Sequence, residues 1–82
     1  MSHEIQCPKV FVDFNNADPQ GRIRLNTVGT IRDLDRLGLV LKEGTEMLLS
    51  CLELEAEGRA TYSEDEHIWV ASINWDQIRE LS

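Results

Sequence analysis

Residues 58–73 read GRATYSEDEHIWVASI and contain the clearest structural signal in the chain. Two runs rich in β-branched and aromatic residues flank the acidic segment 63–66, a pattern typical of a β-hairpin with a four-residue loop. The second run carries apolar side chains on both faces, with Trp69 on one face and Val70 on the other. A strand with two apolar faces is either central in its sheet or part of an interface.

The preceding residues, 45–57, alternate between apolar and polar side chains, but the phase of the alternation changes near Ser50 and Cys51. Met47 and Leu49 share one face before this point, whereas Leu52 and Leu54 form the apolar face after it. We interpret the segment as one long strand that bends or bulges near Ser50–Cys51, as strands at the corners of small barrels do.

The N-terminal part of the chain predicts two more strands. Residues 10–14 are β-branched and aromatic, and the turn-forming residues 15–21 follow them. Residues 21–26 then alternate strictly, with Ile23 and Leu25 on one face and two arginines on the other. We expect these two strands to pair with each other as a hairpin.

A helix is predicted at residues 30–37, where apolar residues recur every three positions. Thr30 followed by Asp33 resembles a capping box, and Gly38 stands where a left-handed residue would end the helix. Near the C-terminus, Asn74 or Asp76 is expected to cap a final helical turn.

Four to six strands with one inserted helix near residues 30–37 indicate a mainly β fold. A small SH3-like or OB-like barrel or roll fits this content best. The length of 82 residues allows a single domain, residues 1–82, of which residues 1–8 are predicted to be a frayed N-terminus.

The charge is distributed unevenly. Fifteen acidic residues oppose eight basic ones, for a net charge of -7. Residues 1–42 hold five acids and six bases, whereas residues 43–82 hold ten acids and two bases. Such an acidic chain disfavours non-specific binding to nucleic acids or anionic lipids.

Location and membrane contact are also predicted from composition. No apolar run is long enough to span a membrane. The N-terminal residues show neither a basic start nor the apolar core of a secretory signal, so we expect a cytoplasmic location.

No residue constellation predicts catalysis. Cys51 and His67 form the one thiol–imidazole pair that we considered for nucleophilic catalysis, and no local motif activates either residue. His3, Cys7, Cys51 and His67 lack the paired spacing of a zinc site, and the acidic loop after Asp13 departs from the calcium-loop pattern. We therefore predict a protein that is not an enzyme and that has neither a metal site nor a cofactor.

The first functional hypothesis is a binding or assembly module that contacts a protein partner or a second copy of itself. The apolar residues on both faces of the last long strand exceed what one small core covers, which favours a homodimer. The residues predicted to contact the partner are Tyr62, Ile68, Trp69, Val70 and Trp75.

The alternative hypothesis is nucleic-acid binding through a basic face. Four arginines would form this face if the predicted helix folds back over the second strand. These arginines are Arg22, Arg24, Arg32 and Arg36.

A partial sequence resemblance belongs to this alternative. Residues 21–25 (GRIRL), 37–39 (LGL) and 42–47 (KEGTEM) resemble the G-R-I-x-L … L-G-L-x-x-G-x-x-V pattern of the swapped-hairpin DNA-binding proteins, the transition-state-regulator and antitoxin family. The resemblance implies an interlocked dimer in which Arg22 and Arg24 face DNA.

Overall fold

The computed structural model describes residues 8–80 of the chain. These residues contain six strands, one α-helix and one 3₁₀ turn. The elements, in chain order, are β1 (Lys9–Phe11), β2 (Ile23–Arg24), α1 (Val28–Leu37), β3 (Glu46–Ser50), β4 (Leu54–Ser63), β5 (Ile68–Ile73), the 3₁₀ turn (Trp75–Gln77) and β6 (Arg79–Glu80). The strands form one sheet in the order β1-β3-β4-β5-β2, and β6 pairs with the beginning of β4.

The sheet curls strongly because both of its ends are bonded to the N-terminal segment, β3 to β1 and β2 to the loop that follows β1. The outer edge of β2 bonds to residues 16–18, since Arg24 donates to the Asn16 carbonyl and Asp18 donates to the Arg22 carbonyl. The same N-terminal segment, through β1, pairs in parallel with β3. The prediction of a small, mainly β barrel or roll with one helix is therefore confirmed.

The core lies inside this curl. Val10, Val12 and Phe14 enter it from the N-terminal segment and meet Met47 and Leu49 of β3. The fully buried positions in the middle of β4 are small residues, Ala56, Gly58 and Ala60. These small residues leave the interior to the large side chains of the neighbouring strands.

The predicted long strand across residues 45–57 is wrong, because the chain reverses direction there. β3 and β4 form an antiparallel hairpin with Leu52 and Glu53 at its tip, and the Cys51 N–H donates to the Leu54 carbonyl at 2.9 Å. The change of phase at Ser50–Cys51 marks this turn. Without Gly, Pro or Asn at the tip, the sequence carries none of the usual turn residues.

The predicted hairpin between the first two strands is also wrong. β1 pairs with β3, and β2 pairs with β5, with Ile23 opposite Ala71. A single bridge between Ala17 and Ile23 remains of the expected pairing. The edge of β2 that would face β1 is instead bonded to the loop after β1, at Asn16 and Asp18.

The helix α1 begins two residues earlier than predicted. Its N-cap is Thr27, whose hydroxyl accepts a hydrogen bond from the Thr30 N–H at 3.3 Å. Thr30, the expected cap, lies inside the first turn and is fully buried. Gly38 ends the helix in the left-handed region, at φ 63°, as predicted.

The remaining local predictions agree with the structure. β4 and β5 form the expected hairpin, with a four-residue loop at 64–67 that ends on His67 at φ 59°. Asn74 caps the 3₁₀ turn by accepting from the Asp76 N–H. The prediction of a frayed N-terminus at residues 1–8 lies, except for Pro8, outside the described residues.

A Gly58→Ala substitution is expected to destabilise the protein. Ala in a strand is ordinarily better than Gly by about 0.5–1 kcal/mol, but a Cβ here would lie 2.9 Å from Leu49 Cδ1 and 3.2 Å from Ile73 Cγ2. Because Leu49 is fully buried, overpacking should dominate and lower the free energy of unfolding by about 1–3 kcal/mol. Urea denaturation measures this.

The matched test is a double-mutant cycle with Leu49→Ala, which alone should cost about 2–5 kcal/mol. Because Leu49→Ala removes the clashing atoms, the double variant should lose less than the sum of the single losses. Strict additivity would contradict the contact, and the exposed Ser72→Ala should change little.

Candidate binding surface

Most of the exposed large apolar side chains belong to α1 or to the segments next to it. Among residues 8–80, eight large apolar side chains are exposed, and six of them belong to these segments. We call these six the α1 surface: Phe11, Val28, Ile31, Leu37, Val40 and Leu52. They surround the helix, because Val28 and Leu37 are about two and a half turns apart and so lie on opposite sides of it. Exposed apolar side chains concentrated in neighbouring segments favour an interaction site.

Two hydrogen bonds hold α1 against the edge of the sheet. The Phe11 N–H donates to Asp33 Oδ2 at 2.9 Å, and the Thr30 hydroxyl donates to the Phe11 carbonyl at 2.6 Å. Side chains of the helix thus take the place of a further strand beside β1. They also turn the opposite side of α1, with Val28 and Ile31, toward solvent.

The Phe11 ring fixes the distance between helix and strand. A Cβ on Gly29 would lie 2.5 Å from Phe11 Cδ2. Only glycine therefore allows the helix to approach the ring this closely. The ring remains partly exposed beyond this contact.

A groove of about 330 Å³ runs between α1 and the tip of the β3–β4 hairpin. We call it the α1 groove. Leu52 at its border is 92% exposed, the largest exposure among the large apolar residues described. Its lining consists of Lys9, Phe11, Asp33, Arg36, Ser50, Cys51 and Leu52.

A second groove, of about 460 Å³, crosses β3, β4 and β5 near the 3₁₀ turn. Polar side chains border it, among them Glu57, Asn74 and Gln77, and Arg59 pairs with Glu46 at 3.3 Å. Neither His nor Cys is among the residues that line this groove.

The predicted aromatic contact residues do not form one surface. Tyr62 and Trp69 pack edge to face, with ring centroids 5.4 Å apart, at one end of β5, and Ile68 is half-buried beside them. Trp75 lies beyond the other end of the strand, 46% exposed, with Nε1 donating to the Gly21 carbonyl at 2.7 Å. Val70 is fully buried, so this structure leaves it no surface for a partner.

The four predicted arginines are not brought together as one free basic face. Arg24 binds Glu66 through two hydrogen bonds of 2.7 and 2.8 Å and also donates to Asn16 and the Ala17 carbonyl. Arg22 is paired with the buried Asp18 at 2.8 Å. On α1, Arg36 pairs loosely with Asp33 at 3.4 Å, and Arg32 is exposed with no ion pair to residues 8–80.

Cys51 and His67 lie at opposite ends of β4. The Cys51 N–H donates to the carbonyl of Leu54, the first residue of that strand, and the His67 N–H donates to the carbonyl of Ser63, the last. Ten residues of strand separate them by about 30 Å, so the thiol and the imidazole cannot act on one substrate atom. Within residues 8–80, no three His, Cys, Asp or Glu side chains converge in a way that could hold a metal ion.

The sequence analysis did not identify the α1 surface. Val28 and Ile31 lie one turn apart, a spacing that also fits a buried helix face. Leu52 was assigned to the inner face of a bent strand. The change of phase at Ser50–Cys51 is the sequence signal that could have placed Leu52 in water, since a turn there puts Leu52 at the tip of a hairpin.

The comparisons with known proteins give no relative: no family model matches the chain, and no curated protein or solved structure matches it. The resemblance to the swapped-hairpin proteins therefore depends on the quoted motifs alone. In the structure, residues 21–25 contain β2, which pairs with β5 of the same chain. No helix in residues 8–80 has the length and apolar character needed to cross a membrane.

Asp18 holds the loop that carries Arg22 and positions β2. Its carboxylate accepts hydrogen bonds from the main-chain N–H groups of Gln20 and Arg22 and from the Arg22 guanidinium, all at 2.8–2.9 Å. Burial alone would raise the pKa of Asp18, but these hydrogen bonds outweigh it and hold the pKa below its usual value.

Asp18→Asn is expected to lower the free energy of unfolding at pH 7 by about 1–3 kcal/mol, because one oxygen of Asp18 accepts from the two main-chain N–H groups and the other from the Arg22 guanidinium, and an amide can accept at only one of these two positions. The lower pKa in the folded state means that the ionised form stabilises the fold above about pH 4 and that this contribution is lost as the pH falls through the folded pKa. The difference between wild type and variant should therefore shrink below about pH 4 in urea denaturation.

Asp35→Asn is the control for this experiment. It removes the same charge from an exposed position on α1 and should change stability by less than about 0.5 kcal/mol. A difference between wild type and Asp18→Asn that stays constant from pH 7 to pH 3 would show that the carboxylate charge is not responsible.

Proposed function

We propose that the protein is a non-enzymatic binding module that associates with itself through the α1 surface. The observation that carries the proposal is that, within residues 8–80, six of the eight exposed large apolar side chains belong to α1 or to the segments next to it. Removing such side chains from water on contact with a partner supplies the main favourable free energy of association.

The charge distribution supports self-association at this place. The chain carries a net charge of -7, so most contacts between two copies would bring like charges together. Around α1, Arg32 and Arg36 balance Asp33 and Asp35. Two copies that meet here avoid most of the repulsion.

We also propose that the protein acts in the cytoplasm. Cys51 carries a free thiol in the structure. A half-buried free thiol fits a reducing compartment.

The same substitution at the two candidate surfaces tests the proposal. The double variant Ile31→Glu/Leu52→Glu changes the α1 surface on both sides of the helix, at side chains that are 55% and 92% exposed, and Ile68→Glu changes the β4–β5 hairpin end. Sedimentation equilibrium of the wild type should give a mass that rises above 9.4 kDa with concentration. The double variant should return the mass to that of the monomer, and Ile68→Glu should not.

Circular dichroism controls for folding of both variants. Loss of association in Ile68→Glu alone would move the contact to the hairpin end, where the sequence analysis had placed it. A wild type that remains monomeric at several hundred micromolar would refute self-association.

A further inference from the structure

We propose that two copies of this chain meet about a twofold axis at the α1 groove, with Leu52 of each copy entering the groove of the other. The inference depends on the proposed function, since it specifies how the α1 surface binds a second copy. It adds the symmetry of the contact and the side chain that anchors it.

The α1 groove and Leu52 make a patch that is complementary to itself. Leu52 protrudes from the hairpin tip with 92% of its surface exposed, and it borders the groove that Phe11 and Cys51 line. A twofold contact uses the same patch on both copies, so the patch must offer both a protruding group and a recess. Both are present here, side by side.

The charges around the patch are arranged for the same contact. Lys9, Arg36 and Asp33 line the groove, which gives the lining one net positive charge, and Glu53 is exposed next to Leu52. When Leu52 enters the partner's groove, Glu53 approaches the two cations of that groove. Both cations are free to respond, because Lys9 and Arg36 are more than half exposed and hold their present carboxylates at only 3.5 and 3.4 Å.

The hydrogen bonding of Phe11 disfavours the other common way in which sheet proteins dimerise. Addition of a strand along β1 would need the outward N–H and carbonyl of Phe11, and Asp33 and Thr30 already occupy them. This occupation favours a contact made by side chains at this end of β1.

Leu52→Asp is the first test, with Val40→Asp as its matched control. Both residues are exposed apolar members of the α1 surface, at 92% and 72%, but only Leu52 borders the groove. Burial of one leucine changes a binding constant by about 10- to 100-fold. Since a twofold contact contains two copies of Leu52, the dissociation constant should rise at least about a hundredfold in Leu52→Asp.

Val40→Asp should change the dissociation constant by less than about threefold. The measurement is sedimentation equilibrium of the full chain, with circular dichroism to show that each variant folds.

Cross-linking tests the symmetry independently. In a Cys7→Ser background Cys51, which lines the groove, is the one remaining cysteine. A twofold axis at the groove brings the two Cys51 side chains close together, so a short bis-maleimide should link them into a covalent dimer at low protein concentration. Leu52→Asp should abolish this product.

The outcomes separate the two proposals. A wild type that stays monomeric removes both. Association that survives Leu52→Asp, or that Val40→Asp weakens equally, removes the groove contact and leaves self-association through the α1 surface. Association that depends on Leu52 without a Cys51 cross-link overturns the twofold arrangement, because a head-to-tail contact does not bring equivalent residues together.

Discussion

Both hydrogen-bonding groups of Phe11 that face away from the sheet are occupied by side chains of α1. This arrangement makes the helix part of the sheet edge, because Asp33 accepts where a neighbouring carbonyl would and Thr30 donates where a neighbouring N–H would. It fixes which side of α1 is buried and which side, with Val28 and Ile31, is left in water. The recess between helix and hairpin tip follows from the same placement.

Carboxylates also accept hydrogen bonds or form ion pairs at other places in the sheet. Just before the start of β3, Glu43 accepts hydrogen bonds from the Tyr62 N–H at 2.7 Å and the Thr61 hydroxyl at 2.8 Å, which hold the pKa of Glu43 below its usual value. Glu66 binds Arg24, and Glu55 lies between Lys9 and Arg79. Part of the large acidic excess is thus used to complete main-chain hydrogen bonds or to answer local cations.

Features encoded by neighbouring residues could be predicted from the sequence. Gly38 ends α1, Asn74 caps the 3₁₀ turn, and the hairpin of β4 and β5 follows from its acidic loop. Strand pairing could not be predicted in the same way, because the partners of β1 and β2 lie more than thirty residues away.

The α1 surface and its groove depend on contacts that the sequence pattern does not show. One bent strand and two strands of a hairpin give the same alternation of apolar and polar residues. The position of Leu52 at a hairpin tip therefore could not be recognised from this alternation. The sequence also does not show which side chains the fold buries or pairs. Val70 looks available for contact but is buried. Arg24 looks free but donates four hydrogen bonds, to Glu66, Asn16 and the Ala17 carbonyl.

The pairing of the sheet also determines when the chain can fold. The hairpins β3–β4 and β4–β5 join residues that are close in sequence and can form early, whereas β1 needs β3 and β2 needs β5. On the ribosome, β1 therefore has to wait for β3, and β2 for β5, before each finds its strand partner. The two N-terminal strands are thus expected to join the sheet after the hairpins that follow them, against the order in which the strands are synthesised.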